Sequence, residues 1–296
     1  MKRFFGLCFL VCLVSSCVVF RIGGLATTSL LDENDPELVA EALPAFIKTV
    51  EVLYLDNRDN EANAKILASM YLLYGNMILG TKSFLLQNTD PLESSRIATR
   101  AVGYSVKAKN VMLPFIKKRS PKLFTTQIQM TETHSKETQK LVAMFTKKDL
   151  DLLYNAAAAI FASFSGNPLD FDTANLVPGA FLLLDRALTL DPYYGSGRLL
   201  SLAISVYAGL PEALGGNRSR ALEYFAMLKD FSKDTNAGMY VDYALNFSLA
   251  DNDKEDFVAN LKKAISIANN NPVLMNVLAE QKAQSILADL YLYFPE

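Results

Sequence analysis

The residue with the plainest chemistry in this 296-residue chain is Cys17. It follows Lys2 and Arg3, an apolar run from Phe4 to Val14 and the small pair Ser15-Ser16. A basic start, a short apolar stretch and small residues before a cut describe a secretory leader, and a cysteine directly after the cut is the acceptor of a lipid. Residues 1–16 then form a lipoprotein signal, and Cys17 carries acyl chains. Each buried CH₂ of such a chain contributes about 0.8 kcal/mol, so two or three chains hold a protein at a membrane where one does not. The competing reading is an uncleaved span, because Val18, Val19 and Phe20 extend the apolar run. Its serines and its length, short of the roughly 20 apolar residues a spanning helix needs, favour the signal. The other two cysteines, Cys8 and Cys12, leave with that signal. No disulfide or thiolate metal site is expected afterwards, and a hydrophobic core must stabilise the exported chain.

Groups suited to catalysis are scarce. The single histidine, His134, lies in the polar stretch Thr131-Glu132-Thr133-His134-Ser135-Lys136, without a second histidine or a cysteine to share a metal. No nucleophile elbow, phosphate loop or dinucleotide fingerprint is present. Gly215-Gly216 precedes a helical stretch, but a glycine turn between two helices is its commoner meaning. The acids Asp149 and Asp151, and the group Asp253, Glu255 and Asp256, stand at helix starts, where they offset the macrodipole. The protein is therefore not expected to be an enzyme or to need a cofactor or metal. A formal charge of −2, more negative still once Lys2 and Arg3 are gone, argues against nucleic acid as a partner.

Tyrosine is the other candidate. Tyr71, Tyr74, Tyr104, Tyr154, Tyr207, Tyr240 and Tyr243 recur along helical stretches. Each offers an apolar body with a polar tip, so they are candidates to line a groove for a ligand or partner. Ordinary core and inter-repeat packing is the alternative for any one of them.

The elements that must position these residues are helices. Gly23 to Ser29 lacks periodicity, so 17–34 reads as a lipidated tether and 35–296 as one folded unit. Asp35 can cap a helix whose first residue is Pro36. Leu38, Ala42, Ala45, Phe46, Thr49, Val50 and Leu53 follow helical spacing and are expected to form its buried face. Residues 59–87 supply its partner, and 92–118, 121–146 and 149–165 show the same periodicity. No sustained alternating run bounded by hairpin turns appears. The fold class is all-α, with roughly 11–13 helices.

Short, regular intervals between breakers point to repeats. Ala180, Leu184, Ala187 and Pro192 reproduce the second helix of a tetratricopeptide unit, with Leu where Phe is usual. Alanines let paired helices approach, the large residue fills the gap, and proline stops the helix. Ala221, Phe225 and Leu228, then Phe257, Leu261 and Ala264 ahead of Pro272, take equivalent places at intervals of 41 and 36 residues. The usual period is about 34, so the repeats are degenerate and clearest over 176–271. An α-solenoid or superhelix is expected, with 272–294 as its capping helix. The stretch 92–146 does not fit the repeat, and two long helices that close the superhelix are one reading of it.

At this level the chain resembles the T component of tripartite ATP-independent periplasmic (TRAP) transporters. The resemblance rests on Glu212-Ala213-Leu214-Gly215-Gly216-Asn217 followed by Arg220-Ala221-Leu222-Glu223-Tyr224-Phe225. Val241-Asp242-Tyr243-Ala244, Asp256-Phe257 with Leu261, Leu274 to Asn276, Ala279, Gln281-Lys282-Ala283 and Leu287-Ala288 agree in order. Leu43-Pro44-Ala45, Ala68, Tyr71 and Tyr74 extend it to the N-terminal half. The resemblance implies a periplasmic accessory subunit anchored to the inner membrane through Cys17. Its implied partners are the periplasmic substrate-binding subunit and, indirectly, the permease. It also implies a homo-oligomer, a trimer, with a cavity in each repeat domain and a small hydrophobic ligand. The residues alone leave a second reading open, a scaffold lipoprotein whose repeats organise an envelope complex.

Overall fold

In the computed structural model, residues 28–126, 128–130, 133 and 135–295 are described. The signal, Cys17, most of the tether and His134 lie outside these residues. Within them the structure is helical, without a strand, as the periodicity predicts.

Helix α1 (Pro36–Asp56) starts where the sequence places it: the Asp35 carboxylate accepts from the backbone N–H of Glu37 at 2.9 Å and Leu38 at 3.1 Å. Its buried face overlaps the expected one only in part, with Val50 buried and Phe46 and Leu53 partly so. Val39, Leu43, Ile47 and Val50 are the buried residues, while Leu38 is 51% exposed and Ala42, Ala45 and Thr49 face outward. Two apolar stripes run side by side on α1, and the packing of the second helix selects between them. That second helix, α2 (Glu61–Leu72), is capped by Asn60 and passes through a π-helical stretch, Leu73–Leu79, into α3 (Gly80–Leu86). Gly75 is needed there because a Cβ would lie 2.9 Å from both the Ala101 carbonyl oxygen and the Tyr104 Cβ of the neighbouring helix.

That neighbour is α4 (Pro91–Arg119), 29 residues long. The next stretch corrects an expectation. Residues 121–146 are not a second long helix: the described ones form turns and one short helix, α5 (Lys136–Lys140). Polar side chains there bind the local backbone in place of a helical ladder, with Thr138 Oγ1 donating to Ser135 O at 3.0 Å and Gln139 Nε2 to Thr133 O at 2.8 Å. The segment is pinned to the body by Ser120 Oγ donating to Leu141 O at 2.6 Å and by Arg186 Nε donating to Phe145 O at 3.0 Å.

Beyond it come α6 (Leu150–Gly166), α7 (Phe171–Ala174), α8 (Val177–Leu190), α9 (Arg198–Gly209) and α10 (Arg218–Ser232). They are followed by α11 (Gly238–Tyr243), continued by a second π-helical stretch, Ala244–Ser248, then α12 (Lys254–Asn270), α13 (Leu274–Ala288) and α14 (Leu290–Tyr293). Helices adjacent in this order pack as neighbours: α1 on α2, α2 on α4, α4 on α6, α6 on α8, α9 on α10, α11 on α12, α12 on α13. Of the expected repeat positions, Ala180, Leu184, Ala187, Ala221, Leu228, Phe257, Leu261 and Ala264 are fully buried and Phe225 is partly buried. Each large one among them contributes about 1.5–3 kcal/mol.

Helix α13 packs on more than the helix before it. It packs on α12 and α11 and also back on α3 and α1, with Leu274, Leu278, Ala279, Ala283 and Ile286 buried, so the superhelix closes on itself. The closure that 92–146 offered in the sequence is made instead by the C-terminal helix.

Candidate functional site

The sequence Glu212-Ala213-Leu214-Gly215-Gly216-Asn217 builds one tight connection between α9 and α10. Residues Glu212–Leu214 make a single 3₁₀ turn, and Gly215 ends it at φ +95°, a conformation that disfavours a side chain. A Cβ on Gly216 would lie 1.7 Å from the Leu210 carbonyl oxygen, so only glycine fits. Asn217 then caps α10 by accepting from Arg220 N–H at 3.0 Å, while its own N–H donates to Tyr207 O at 2.7 Å. The turn therefore fixes the first turn of α10 against α9, with Arg220 facing Tyr207.

Arg220 is the centre of a polar network. Its Nη2 lies 2.9 Å from Asp185 Oδ1 on α8 and donates to the Tyr224 hydroxyl at 3.0 Å. Its guanidinium stands 4.3 Å from the centroid of the Tyr207 ring, and the Tyr207 hydroxyl donates to Asp185 Oδ1 at 2.5 Å. Burial and the Asp185 charge push the Tyr207 hydroxyl far up, so it stays a donor. Burial works against the Arg220 charge, but Asp185 and the two tyrosines outweigh it and hold the guanidinium charged. A depression of about 430 Å³ opens over this network, lined by Gln139, Thr189, Tyr224 and Met227 as well as the ion pair.

The seven candidate tyrosines fall into separate groups. Tyr71, Tyr74 and Tyr104 pack together, with Tyr104 5.7 Å from Tyr71 and 5.0 Å from Tyr74 between ring centroids. Lys107 stands over two of these rings, the Tyr71 hydroxyl donates to Glu51, and Arg100 donates to the Tyr74 hydroxyl at 3.1 Å. Tyr154 pairs with Tyr194 at 5.9 Å, and the Arg198 guanidinium lies over both rings. Tyr207 belongs to the network above. Tyr240 and Tyr243 meet through Phe225, and the Tyr240 hydroxyl donates to Asp234. Tyr71, Tyr74, Tyr207 and Tyr240 are buried, whereas Tyr104, Tyr154 and Tyr243 keep accessible surface.

A further group gathers where α13 closes the ring. Ser205 on α9 donates to Asp242 Oδ2 on α11 at 3.2 Å, and Asn246 Nδ2 donates to the Asp242 carbonyl at 2.8 Å. Lys282 on α13 lies within electrostatic reach of Asp242, with its ammonium 6.0 Å from the centroid of Phe84 on α3. Burial pushes the Asp242 carboxyl up and the Lys282 amine down, each partly offset by the other's charge. Both nevertheless keep part of their surface accessible.

Sequence reasoning passed over Asp185, Arg220, Asp242 and Lys282 as site residues. A signal existed: Asp185 interrupts the apolar run Phe181 to Leu184, and the other three stand inside the recurring phrases. The paired acids have structural employment. Asp149 accepts from Thr146 N at 2.8 Å and Asp253 caps α12, while Asp151 accepts from the Tyr194 hydroxyl. Among the described residues no three His, Cys, Asp or Glu converge as metal ligands, and no helix is long and apolar enough to cross a membrane.

The chain is 24% identical over 272 residues to an uncharacterized protein of Treponema pallidum (strain Nichols), a match covering 90% of this chain and 83% of that relative. The family model of the TRAP transporter T-component matches residues 32–294, nearly the whole folded body. This chain belongs to the TRAP transporter T-component family.

Proposed function

We propose that the protein is a lipid-anchored periplasmic accessory subunit that docks the substrate-binding subunit of a TRAP transporter and hands a small ligand through the inside of its helical ring. In this reading residues 1–16 are cleaved, Cys17 carries the lipid, 17–34 tether it, and 35–296 form the working domain as a homo-oligomer, a trimer. The permease is engaged indirectly, through the substrate-binding subunit. One observation carries the ligand part of the reading. Charged groups such as Asp185 with Arg220, which line the depression, and Asp242 and Lys282 on the packed helices α11 and α13, are largely covered by protein yet keep accessible surface, as the walls of a binding site do. Family membership supports the transporter part. Metabolic labelling with palmitate tests the anchor: wild-type chain incorporates label and fractionates with membranes, and Cys17→Ser does neither. A Cys17→Ser chain that stays membrane-bound overturns the anchor.

A further inference from the structure

The depression of about 430 Å³ over the Asp185–Arg220 pair is lined by α8 and α10, with Gln139 of α5 beside them. Its two charges serve each other: Arg220 Nη2 lies 2.9 Å from Asp185 Oδ1, and the side chains are only 27% and 9% exposed. An ionic ligand that drew one of them away would leave the other buried and uncompensated. The neutral groups on the walls are less fully used. Thr189 Oγ1 is spent on the Asp185 carbonyl at 2.8 Å. The Tyr224 hydroxyl, by contrast, accepts from Arg220 at 3.0 Å and donates its own proton to none of the described residues. Gln139 Nε2 donates to Thr133 O at 2.8 Å, while its Oε1 accepts from none of them. The depression thus offers one donor and one acceptor beside the apolar Leu188, Pro192 and Met227. An amide, with its carbonyl and its N–H, matches both. The apolar surface also continues past the depression. Tyr193 follows Pro192, and Phe231 stands one turn beyond Met227 on α10. Their rings stack at 4.7 Å between centroids, yet remain 40% and 43% exposed. Gly197, at φ +88°, lets the loop after Tyr193 pass close to α10, because a Cβ there would lie 2.6 Å from Leu228 Cδ1. A compact molecule would fill the depression and leave these rings bare, whereas an extended chain reaches both.

We propose that α8 and α10 dock an uncharged, extended peptide segment of a partner protein. One large aliphatic side chain enters the depression against Leu188 and Met227. A backbone amide beside it accepts from Tyr224 and donates to Gln139, and an aromatic side chain further along lies on Tyr193 and Phe231. The proposal rests on the reading of the Asp185–Arg220 depression as a binding wall and names the kind of partner it takes. Burial of the two apolar side chains supplies the affinity, and a charged side chain at the depression loses its hydration without gaining a partner.

The test is isothermal titration of the lipidated chain in detergent with blocked peptides that differ at one position. Acetyl-Ser-Leu-Phe-Ser-amide is expected to bind, and acetyl-Ser-Glu-Phe-Ser-amide at least about tenfold more weakly. Loss of the aromatic ring, in acetyl-Ser-Leu-Ala-Ser-amide, is expected to weaken binding about threefold to tenfold. Phe231→Ala should weaken the phenylalanine peptide by that same factor and leave the alanine peptide unchanged, a pattern that misfolding does not produce. Met227→Glu, at a partly exposed position, should weaken both. Equal binding of the leucine and glutamate peptides overturns the proposal, as does failure of the first peptide to bind at millimolar concentration. N-acetyl-leucinamide binding as tightly as the first peptide, with no effect of Phe231→Ala on either, overturns it in favour of a small-molecule pocket. The comparison among peptides on the unaltered chain does not depend on any variant folding. Association with the substrate-binding subunit separates the two readings: it persists if only the peptide assignment is wrong and is absent if the transport reading is wrong.

Discussion

Asn88 donates its side-chain amide to the Asp289 carboxylate at 2.7 Å, across a separation of 201 residues. The bond ties the turn after α3 to the end of α13, and so fastens the last long helix to the first helices of the fold. The bond is exposed, whereas Ile286 beside it is buried to 1% of its surface. Apolar packing therefore holds the ring closed, and the hydrogen bond only trims it. Asn88→Ala should cost less than about 1 kcal/mol, and Ile286→Ala about 2–5 kcal/mol, read from urea midpoints. A larger loss for Asn88→Ala than for Ile286→Ala would refute this assignment.

The Asp185–Arg220 pair should behave as a committed ion pair. Removing one partner leaves a charge poorly hydrated, so Asp185→Ala is expected to cost about 3–5 kcal/mol. The double variant Asp185→Leu with Arg220→Met should recover part of that loss, since no charge is left behind. A double variant that is the sum of its singles would show that the two residues do not depend on each other.

Tyrosine hydroxyls should separate by partner. Tyr240 donates to Asp234, so Tyr240→Phe is expected to lose about 1.5–3 kcal/mol. The Tyr154 hydroxyl makes no hydrogen bond to the described residues, so Tyr154→Phe should stay within about 0.5 kcal/mol of wild type. Thermal melts of both variants decide the matter, and the reverse order would contradict the placement of these rings.

Acid should release the Asp234 contribution. The Tyr240 hydroxyl foremost, aided by Lys263, holds the Asp234 carboxyl below its usual 3.8. A lowered folded value stabilises the native state above the unfolded value, and that stability is lost as pH falls through the lower, folded one. The difference in melting temperature between wild type and Asp234→Asn should therefore be constant above about pH 5 and shrink below it. A difference that grows on acidification would reverse the sign and refute the assignment.

How much of this the sequence carried depends on the range of the interaction. Local signals were legible: Asp35 caps α1, the repeat positions Ala180, Leu184 and Ala187 are fully buried, and the double glycine makes a turn. The face of α1 was not, because Leu38 and Val39 begin two apolar stripes one residue apart and only the partner helix decides between them. Residues 121–146 match helical spacing, but Ser135, Thr138 and Gln139 bind nearby backbone instead. The group around Lys282 needed in part the return of α13, a contact between chain ends that no period encodes. Lys282 and Asp242 stand 40 positions apart in the sequence on helices that pack on each other, α13 and α11, and only the approach of Lys282 to Phe84 depends on the return of α13 to α3.

The most direct test of the transport reading is sedimentation velocity of the lipidated chain in detergent, mixed with the periplasmic substrate-binding subunit of the same organism. A defined complex containing an oligomer of this chain, with fixed stoichiometry, is the predicted result. Two components that sediment independently at micromolar concentration, with and without added ligand, would contradict it.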